Sequence, residues 1–372
     1  MARIFHDGFE LGRPASSTTS TGAWQNSLWQ YYLNTTTGVA FQVSSTAKNG
    51  NYSLYAAHTV GTNRNVSIRR DLGSNILESY GRVEHMLSSR GSGWMMAYFM
   101  LDESDANVAH IRVRTNGDNS NLVDIALYIG TSQVAATNAA FSFNTWVRLE
   151  WHLLVDDTSG VFELKRNGDS ILNYAGDTKG ASSGNGIRVF GIGRNYTATE
   201  TFVMYSDDIA INDTTGTVND SWVGPGSILL LKPKGAGNYT QWTPDSGNNF
   251  ARVNEIPHTG DSAYVESDTA DQIDTYEMQT LADLGVDTSD PSFNVKAVQH
   301  LMIGRWDEAE TELARVLRLG TTDNTGVAVT LSNTYYRYWD EMFNVSPFDS
   351  LAWELADLNS LEAGIKHVAA SP

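Results

Sequence analysis

The sequence predicts an all-β protein: an antiparallel sandwich, then a second sandwich-like β domain that carries a short C-terminal helix. Three features predict it. The stretch FNTWVRLEWHLLVDDTSGVFELKRNG (143–168) alternates apolar and polar residues. Short alternating runs recur through the first 212 residues between Gly/Asn/Ser/Thr turns. No long helical period interrupts them. Regularly spaced strands with turn residues between them are the pattern of sandwiches and barrels.

In the first run, Val147, Leu149, Trp151, Leu153 and Val155 share one face, and Arg148, Glu150 and His152 share the other. A strand sends successive side chains to opposite faces, so this is a half-buried strand with one polar side. Asp156 to Gly160 supply turn residues, and Asn167-Gly168 is the pair suited to a type I′ turn. In LVDIALYIG, Val123, Ile125, Leu127 and Ile129 share a face. HIRVRTN sets Ile111 and Val113 opposite Arg112 and Arg114. GIRVFGIGR and TFVMYSDDIAIND continue the pattern.

Residues 213–226 are rich in Asn, Asp, Thr, Gly and Pro and read as a linker between domains at 1–212 and 227–372. Strand texture resumes at ILLLKP. The segment GRWDEAETELARVLRLG (304–320) has helix-favouring composition, but it has no second copy. It reads as strand, with Leu313, Leu317 and Leu319 on a face that Arg315 interrupts. Near the C-terminus, Asp349 or Ser350 caps a helix whose Leu355, Leu358 and Leu361 or Glu362 fall at helical spacing. Gly364 stops it, and Ile365 to Val368 form a last strand.

The 372 residues suit two domains or three. With 25 basic and 43 acidic residues the net charge is −18. Such a chain repels nucleic acid and anionic lipid, so neither is an expected partner. Cys is absent, which excludes disulfides, thiolate nucleophiles and cysteine zinc sites. No apolar run reaches the roughly 20 residues of a membrane helix. Asp7 and Glu10 stand where a signal peptide would be apolar, so synthesis in a cytoplasm without export is expected.

Two resemblances follow from these segments. GRVEHMLSSRGSGWMMAYFM, the strand with Trp151, ELKRNG and YSDDIAIND come in the order of a laminin-G or concanavalin-A-like jelly roll over residues 1–212. That fold hosts lectins, hydrolases, lyases and inert scaffolds. Along nearly the whole chain, FHDGFE, DDIAINDTTGTVNDSWVG, QWTP, VNE and WELADLNSLEAGIK resemble, in order, tailed-bacteriophage virion proteins of the minor-tail, fibre or head-surface (capsid decoration) type. Glu354 departs from the small hydroxyl residue expected as cap of the last helix. The resemblance implies a non-enzymatic virion component, a homo-oligomer held by contacts with other capsid or tail proteins, which also binds host surface glycan. The alternative is a soluble lectin-like module or a glycan-active enzyme of the same fold.

Catalysis is not expected. Glycoside hydrolysis needs two carboxylates across the bond, and the hydrolases of this fold carry a Glu-x-Asp-x-x-Glu strand that is missing here. Glu150 is flanked on its face by Arg148 and His152. Asp207 and Asp208 are adjacent, which sends them to opposite faces of a regular strand. No cofactor is required. Asp156-Asp157 and, foremost, Asp207 and Asp208 are the candidate calcium ligands, against turn capping by the first pair and strand-edge hydration of the second. His152 reads as a solvated surface histidine rather than a base or ligand. Among ten Trp and sixteen Tyr, Trp24, Trp29 and Trp94 are the candidates for carbohydrate or partner contact, against a core role.

Overall fold

A computed structural model describes residues 2–12, 28–33, 39–58, 64–182, 184–198, 201–308, 310–333 and 336–369. The chain divides into two compact units, Met1–Leu229 and Leu230–Pro372.

The first unit contains β1 (Arg3–Asp7), β2 (Gln30–Leu33), β3 (Val39–Ser44), β4 (Ser53–His58), β5 (Arg64–Ile76), β6 (Glu78–Arg90), β7 (Met95–Leu101), β8 (Asn107–Thr115), β9 (Leu122–Ile129), β10 (Ser132–Ser142), β11 (Val147–Leu154), β12 (Gly160–Arg166), β13 (Asp169–Gly176), β14 (Ile187–Ala198) and β15 (Phe202–Asp213). They form two antiparallel sheets. Sheet A runs β13-β12-β11-β6-β15-β4-β3, with β1 also on β15, and sheet B runs β10-β9-β8-β7-β14-β5-β2. Strands leave one sheet for the other along the chain, as in a jelly-roll sandwich.

The inner faces make the core. Trp151 of β11 stacks on Phe190 of β14 with centroids 5.3 Å apart, and Trp29 lies 6.3 Å from the same ring. Such stacks add to the burial of the rings themselves. Tyr98 of β7 reaches across the sandwich, its hydroxyl 2.7 Å from His85 Nδ1 and 2.9 Å from Ser206 Oγ. Burial holds His85 neutral, with its pKa pushed down to about 3. The turn after β12 follows its sequence signal: Asn167 (φ 52°) and Gly168 (φ 97°) take the positive dihedrals of a type I′ turn.

The second unit contains β16 (Pro233–Thr240), β17 (Thr243–Pro244), β18 (Val265–Glu266), β19 (Ile273–Met278), β20 (Val298–Gly304), β21 (Thr311–Leu319), β22 (Thr322–Thr325), β23 (Val329–Thr330), β24 (Arg337–Phe343), α1 (Leu355–Ser360) and β25 (Leu361–Ala369). Its main sheet runs β16-β19-β25-β21-β22, with β23 on β21. The pairs β17-β18 and β20-β24 stand apart from it. Met302 of β20 packs with Leu313 and Leu331, and partly buried Trp242, Trp306 and Trp339 cover them. Residues 311–319 are strand, as read. Arg315, which interrupts the apolar face, is buried against Glu341 and donates to Asn324 Oδ1 at 2.8 Å.

Two sequence expectations change here. The strand expected at ILLLKP begins only at Pro233. The C-terminal helix is a six-residue turn that starts after Glu354, whose backbone N–H donates to Asp357 Oδ2 at 3.2 Å. Neither Asp349 nor Ser350 caps it. Gly364 is no stop either: it lies mid-strand, paired with Thr275 and Val316. Leu355 and Leu358 are helical as read, while pairing on both edges of β25 takes Leu361 and Gly364 into the strand.

Candidate functional site

The two outer faces of the sandwich carry most of its buried charge, and they differ. On sheet A the polar face read from β11 continues across the sheet. Glu150 pairs with Arg82, His152 with Tyr80 and Arg148 with Glu84. This face is not solvated. The segment read as a linker lies across it. Gly224 N–H donates to Glu150 Oε1 at 2.8 Å, and Arg82 Nη1 donates to the Gly224 carbonyl at 3.2 Å. Asn212 Nδ2 donates to the Ser221 carbonyl, and Ile228 N–H to Asp208 Oδ1. Gly224 holds φ 71°, a left-handed conformation that suits glycine and turns the strap onto the sheet. Trp222 meets Tyr80 and His152 edge-on at 5.5 and 6.1 Å, and Lys165 Nζ stands 3.5 Å over its ring. His152 is thus no free surface histidine: it stacks on Tyr80 and its Nε2 lies 2.8 Å from Glu78.

Asp207 and Asp208 lie under the same cover, both fully buried. The second edge of β15 changes partner between them: residues 202–206 pair with β4, and 209–212 with β1. Asp208 takes φ 48° in the resulting bulge. Strict alternation therefore fails, and both carboxylates reach the β3–β4 loop. Asp207 Oδ2 accepts from Lys48 and Asn49 N–H at 2.8 and 3.2 Å, and Asp208 Oδ2 accepts from Asn49 Nδ2 at 2.5 Å. Burial, and then the Asp208 charge, push the Asp207 pKa up to about 8. All four carboxylate oxygens accept N–H donors, with Asp207 Oδ1 taking Asp208 N–H. Among the described residues no group of three or more His, Asp or Glu is arranged to hold a metal.

On sheet B, Tyr98 points inward, so its neighbour Phe99 points outward. One cross-strand row then follows from the register: Gln133, Tyr128, His110, Phe99, Gly191 and Arg69. A Cβ on Gly191 would fall 2.0 Å from the Phe99 ring, so the glycine lets Phe99 lie flat along the sheet. The Arg69 guanidinium sits 5.7 Å from that ring centroid and donates to Asp105 at 3.4 Å. His110 stacks on Tyr128 at 5.0 Å, and the Arg112 guanidinium lies 4.1 Å from the same ring centroid. Tyr128 donates its hydroxyl to exposed Gln133 at 3.0 Å. Along β8, Arg114 continues the face, 4.5 Å over the ring of partly exposed Trp94 and bonded to Asp124 at 2.9 Å.

His110 stands out in this row. It is 1 % exposed, and neither ring nitrogen has a hydrogen-bond partner. Burial, and then the nearby Arg112 charge, lower its pKa to about 3, so the ring is neutral. A buried polar group without a partner costs stability and calls for another explanation.

The three tryptophans picked from sequence part ways here. Trp94 borders the sheet B face. Trp29 is core, 2 % exposed, donating its indole N–H to Asp7 at 2.6 Å and stacking on Phe9. Its aromatic neighbours Phe5 and Phe9 claim it for the interior. Trp24 lies outside the described residues. The face itself was half legible: HIRVRTN sets His110, Arg112 and Arg114 on one side. Tyr128, Phe99 and Arg69 come from strands whose register one sequence does not reveal.

No protein family and no curated protein matches this chain. Its fold is similar to solved sandwiches. The cellulose-induced protein Cip1 superposes with a TM-score of 0.42 at 16 % identity, over 60 % of this chain and 100 % of that one. A Bacillus subtilis protein of unknown function with a galectin-like fold gives 0.35 at 11 %, over 57 % and 96 %. Domain 4 of AbnA, an extracellular arabinanase from Geobacillus stearothermophilus solved with arabinotriose, gives 0.35 at 15 %, over 57 % and 93 %.

Proposed function

We propose that the protein is a non-enzymatic carbohydrate-binding protein of lectin-like sandwich type, and that it binds glycan on the outer face of sheet B. One observation carries this reading: Trp94, Arg112 and Gln133 bring an aromatic ring, a guanidinium and an amide to one continuous sheet face, above the buried ring of Tyr128. Sugars present C–H faces that stack on aromatic rings and hydroxyls that need bidentate polar partners, and such a face offers both. Sheet A's outer face is already occupied by residues 221–228 of the same chain.

Calorimetric titration of the full chain with an oligosaccharide panel tests this. Saturable binding that drops at least about tenfold in Trp94→Ala is expected. Binding to no glycan, by a chain that melts cooperatively, would overturn it.

The place of such a protein on a tailed-phage virion rests on the order of its sequence motifs. The same motifs are the basis for homo-oligomers docked on capsid or tail proteins. Immunogold labelling of phage particles from the source culture tests that placement. Gold on the head or the tail is the expected result, and unlabelled particles with a validated antibody would refute it.

A further inference from the structure

We infer that the margin of sheet A's outer face, beside the strap, is a docking site for a basic protein partner that seats a lysine side chain on Trp222. It lies on the other face from the proposed glycan site and does not depend on it. Three observations carry it.

First, the residues there form an aromatic corner with an acidic rim. The strap covers sheet A only in part: toward β13, Asn173 is exposed and Glu163 half-buried. Tyr80 and His152 stack with centroids 4.3 Å apart and planes 4° from parallel. Trp222 stands across both rings, at 66° and 70° to them. Glu163 faces His152 across the β11–β12 pair. Burial, then Glu78, Glu163 and exposed Asp220, push the Tyr80 pKa up to about 12, which places all three carboxylates around this corner. Aromatic faces attract cations, and carboxylates beside them add to the pull.

Second, the corner already holds a lysine of this chain. Lys165 Nζ stands 3.5 Å from the centroid of the Trp222 ring. Lys165 faces Glu150 across β11–β12, but Glu150 is taken by Arg148 and Gly224. It shares its side of β12 with Glu163 and is not ion-paired with it. The ring, rather than a carboxylate, therefore holds this ammonium, and Lys165 shows which side chain the ring accepts. Among the described residues neither Glu163 nor Asp220 is ion-paired. A partner's lysine that takes the place over the ring finds both carboxylates beside it.

Third, the ring is in place beforehand and the fit is to a lysine on its stem. The strap is tied on both sides of Trp222, by Asn212 at the Ser221 carbonyl and by Glu150 at the Gly224 N–H, each at 2.8 Å. Such preorganisation lowers the cost of binding. A lysine brings four methylenes that pack along aromatic surface while the ammonium reaches the rim. An amine borne directly on a sugar ring lacks that stem. The chain's net charge of −18 draws a basic surface toward it.

The experiment is titration calorimetry of the full chain at physiological salt, with a lysine-rich peptide and with the same peptide acetylated on its lysines. The salt screens diffuse attraction between an acidic chain and a basic peptide. Saturable binding of the first peptide and none of the second is expected. Lys165→Ala should tighten binding about two- to fivefold, because it vacates the ring. Lys179→Ala makes the same charge change at a lysine paired with Asp157, and should alter binding by less than about twofold. Trp222→Ala should weaken binding at least about fivefold, and Glu163→Gln about two- to threefold. Glu163→Gln keeps the side chain's shape and serves if Trp222→Ala fails to fold. Equal binding of both peptides, no binding of either, or a gain from Lys179→Ala as large as that from Lys165→Ala overturns the inference. So does binding that Trp222→Ala and Glu163→Gln leave unchanged. Binding of a glucosamine oligosaccharide in place of the peptide would keep the cation but refute the protein partner.

Discussion

The two outer faces of one sandwich solve the same problem in opposite ways. Each carries charged groups above a hydrophobic core. On sheet A several charges answer to partners from the chain itself, Arg82 to Gly224 and the Asp208 carbonyl, Glu150 to Arg148 and Gly224, and Asp208 to Asn49 and Ile228, although His6 Nδ1 is buried there without a hydrogen-bond partner. On sheet B, His110 has no partner, and Arg112 and Trp94 are only partly buried. A satisfied polar network rigidifies a structure. A buried polar group left unsatisfied is a cost that persists where function needs it. What separates the two faces is the strap of residues 221–228, which covers sheet A.

Stability measurements can break this contrast. Arg82→Ala should have the largest effect, about 3–5 kcal/mol in urea unfolding, because it strips a buried cation from among Asp208, Glu84 and Glu150. A loss below 1 kcal/mol would mean that the sheet A network is not structural. Trp222→Ala comes next, at roughly 1–3 kcal/mol. It should also speed hydrogen exchange at the Gly224 and Ile228 amides, and unchanged exchange would show that the strap stays down without its aromatic anchor.

The pH dependence separates single groups: Asp207 on sheet A and His110 on sheet B push stability in opposite directions, while His6 on sheet A, lowered to about 3 by burial and then by Arg3 and Arg82, acts in the same direction as His110. Asp207 is raised from 3.8 to about 8, so between those values the folded state holds a proton that the unfolded state has lost. Stability from this group therefore falls as pH rises through that window. Asp207→Asn should flatten that fall, at the cost of about 1–2 kcal/mol for an amide that must face the Lys48 and Asn49 donors. A mutant as steep as wild type would show that Asp207 ionises normally. His110 is lowered from 6.5 to about 3, so in that window the unfolded state binds the extra proton. Stability from this group rises with pH between those values.

His110→Leu should have the smallest effect on stability, within about 1 kcal/mol at neutral pH, since it removes a group that has no hydrogen bond to lose. It should remove part of the acid-side slope, measured as the difference between mutant and wild-type melts. A loss above 2 kcal/mol would place His110 in the architecture with Arg82.

How much of this could be read from sequence depends on the range of the interaction. Alternation along β11, the turn at Asn167-Gly168 and the strand at 311–319 are local, and they were legible. The strap was legible as a composition break but not as a cover, because nothing local joins Gly224 to Glu150 across 74 residues. The bulge at Asp207–Asp208 arises where β4 gives way to β1 beside β15, a fact about three distant segments. The short last helix shows the same limit: Leu355 and Leu358 are helical as their spacing predicts, but Leu361 and Gly364 belong to β25, which pairs with β19 and β21. On sheet B, the His110/Arg112/Arg114 side of one strand was visible, and the row across six strands was not.

The pairing of β1 with β15 also has a consequence for how the protein is made. Phe5 and His6 find Ile211 and Ala210 across about two hundred residues of chain. At translation rates of about 5–20 residues per second, β1 leaves the ribosome roughly 10–40 s before its partner exists. Phe5 and Phe9, among the most buried side chains of the finished sandwich, spend that interval without their core. The second unit repeats the delay: β25, made last, sits between β19 and β21, which were made before it. Non-local pairing of this kind slows folding. Each unit therefore depends, for a time set by the ribosome, on whatever shields its unfinished edge.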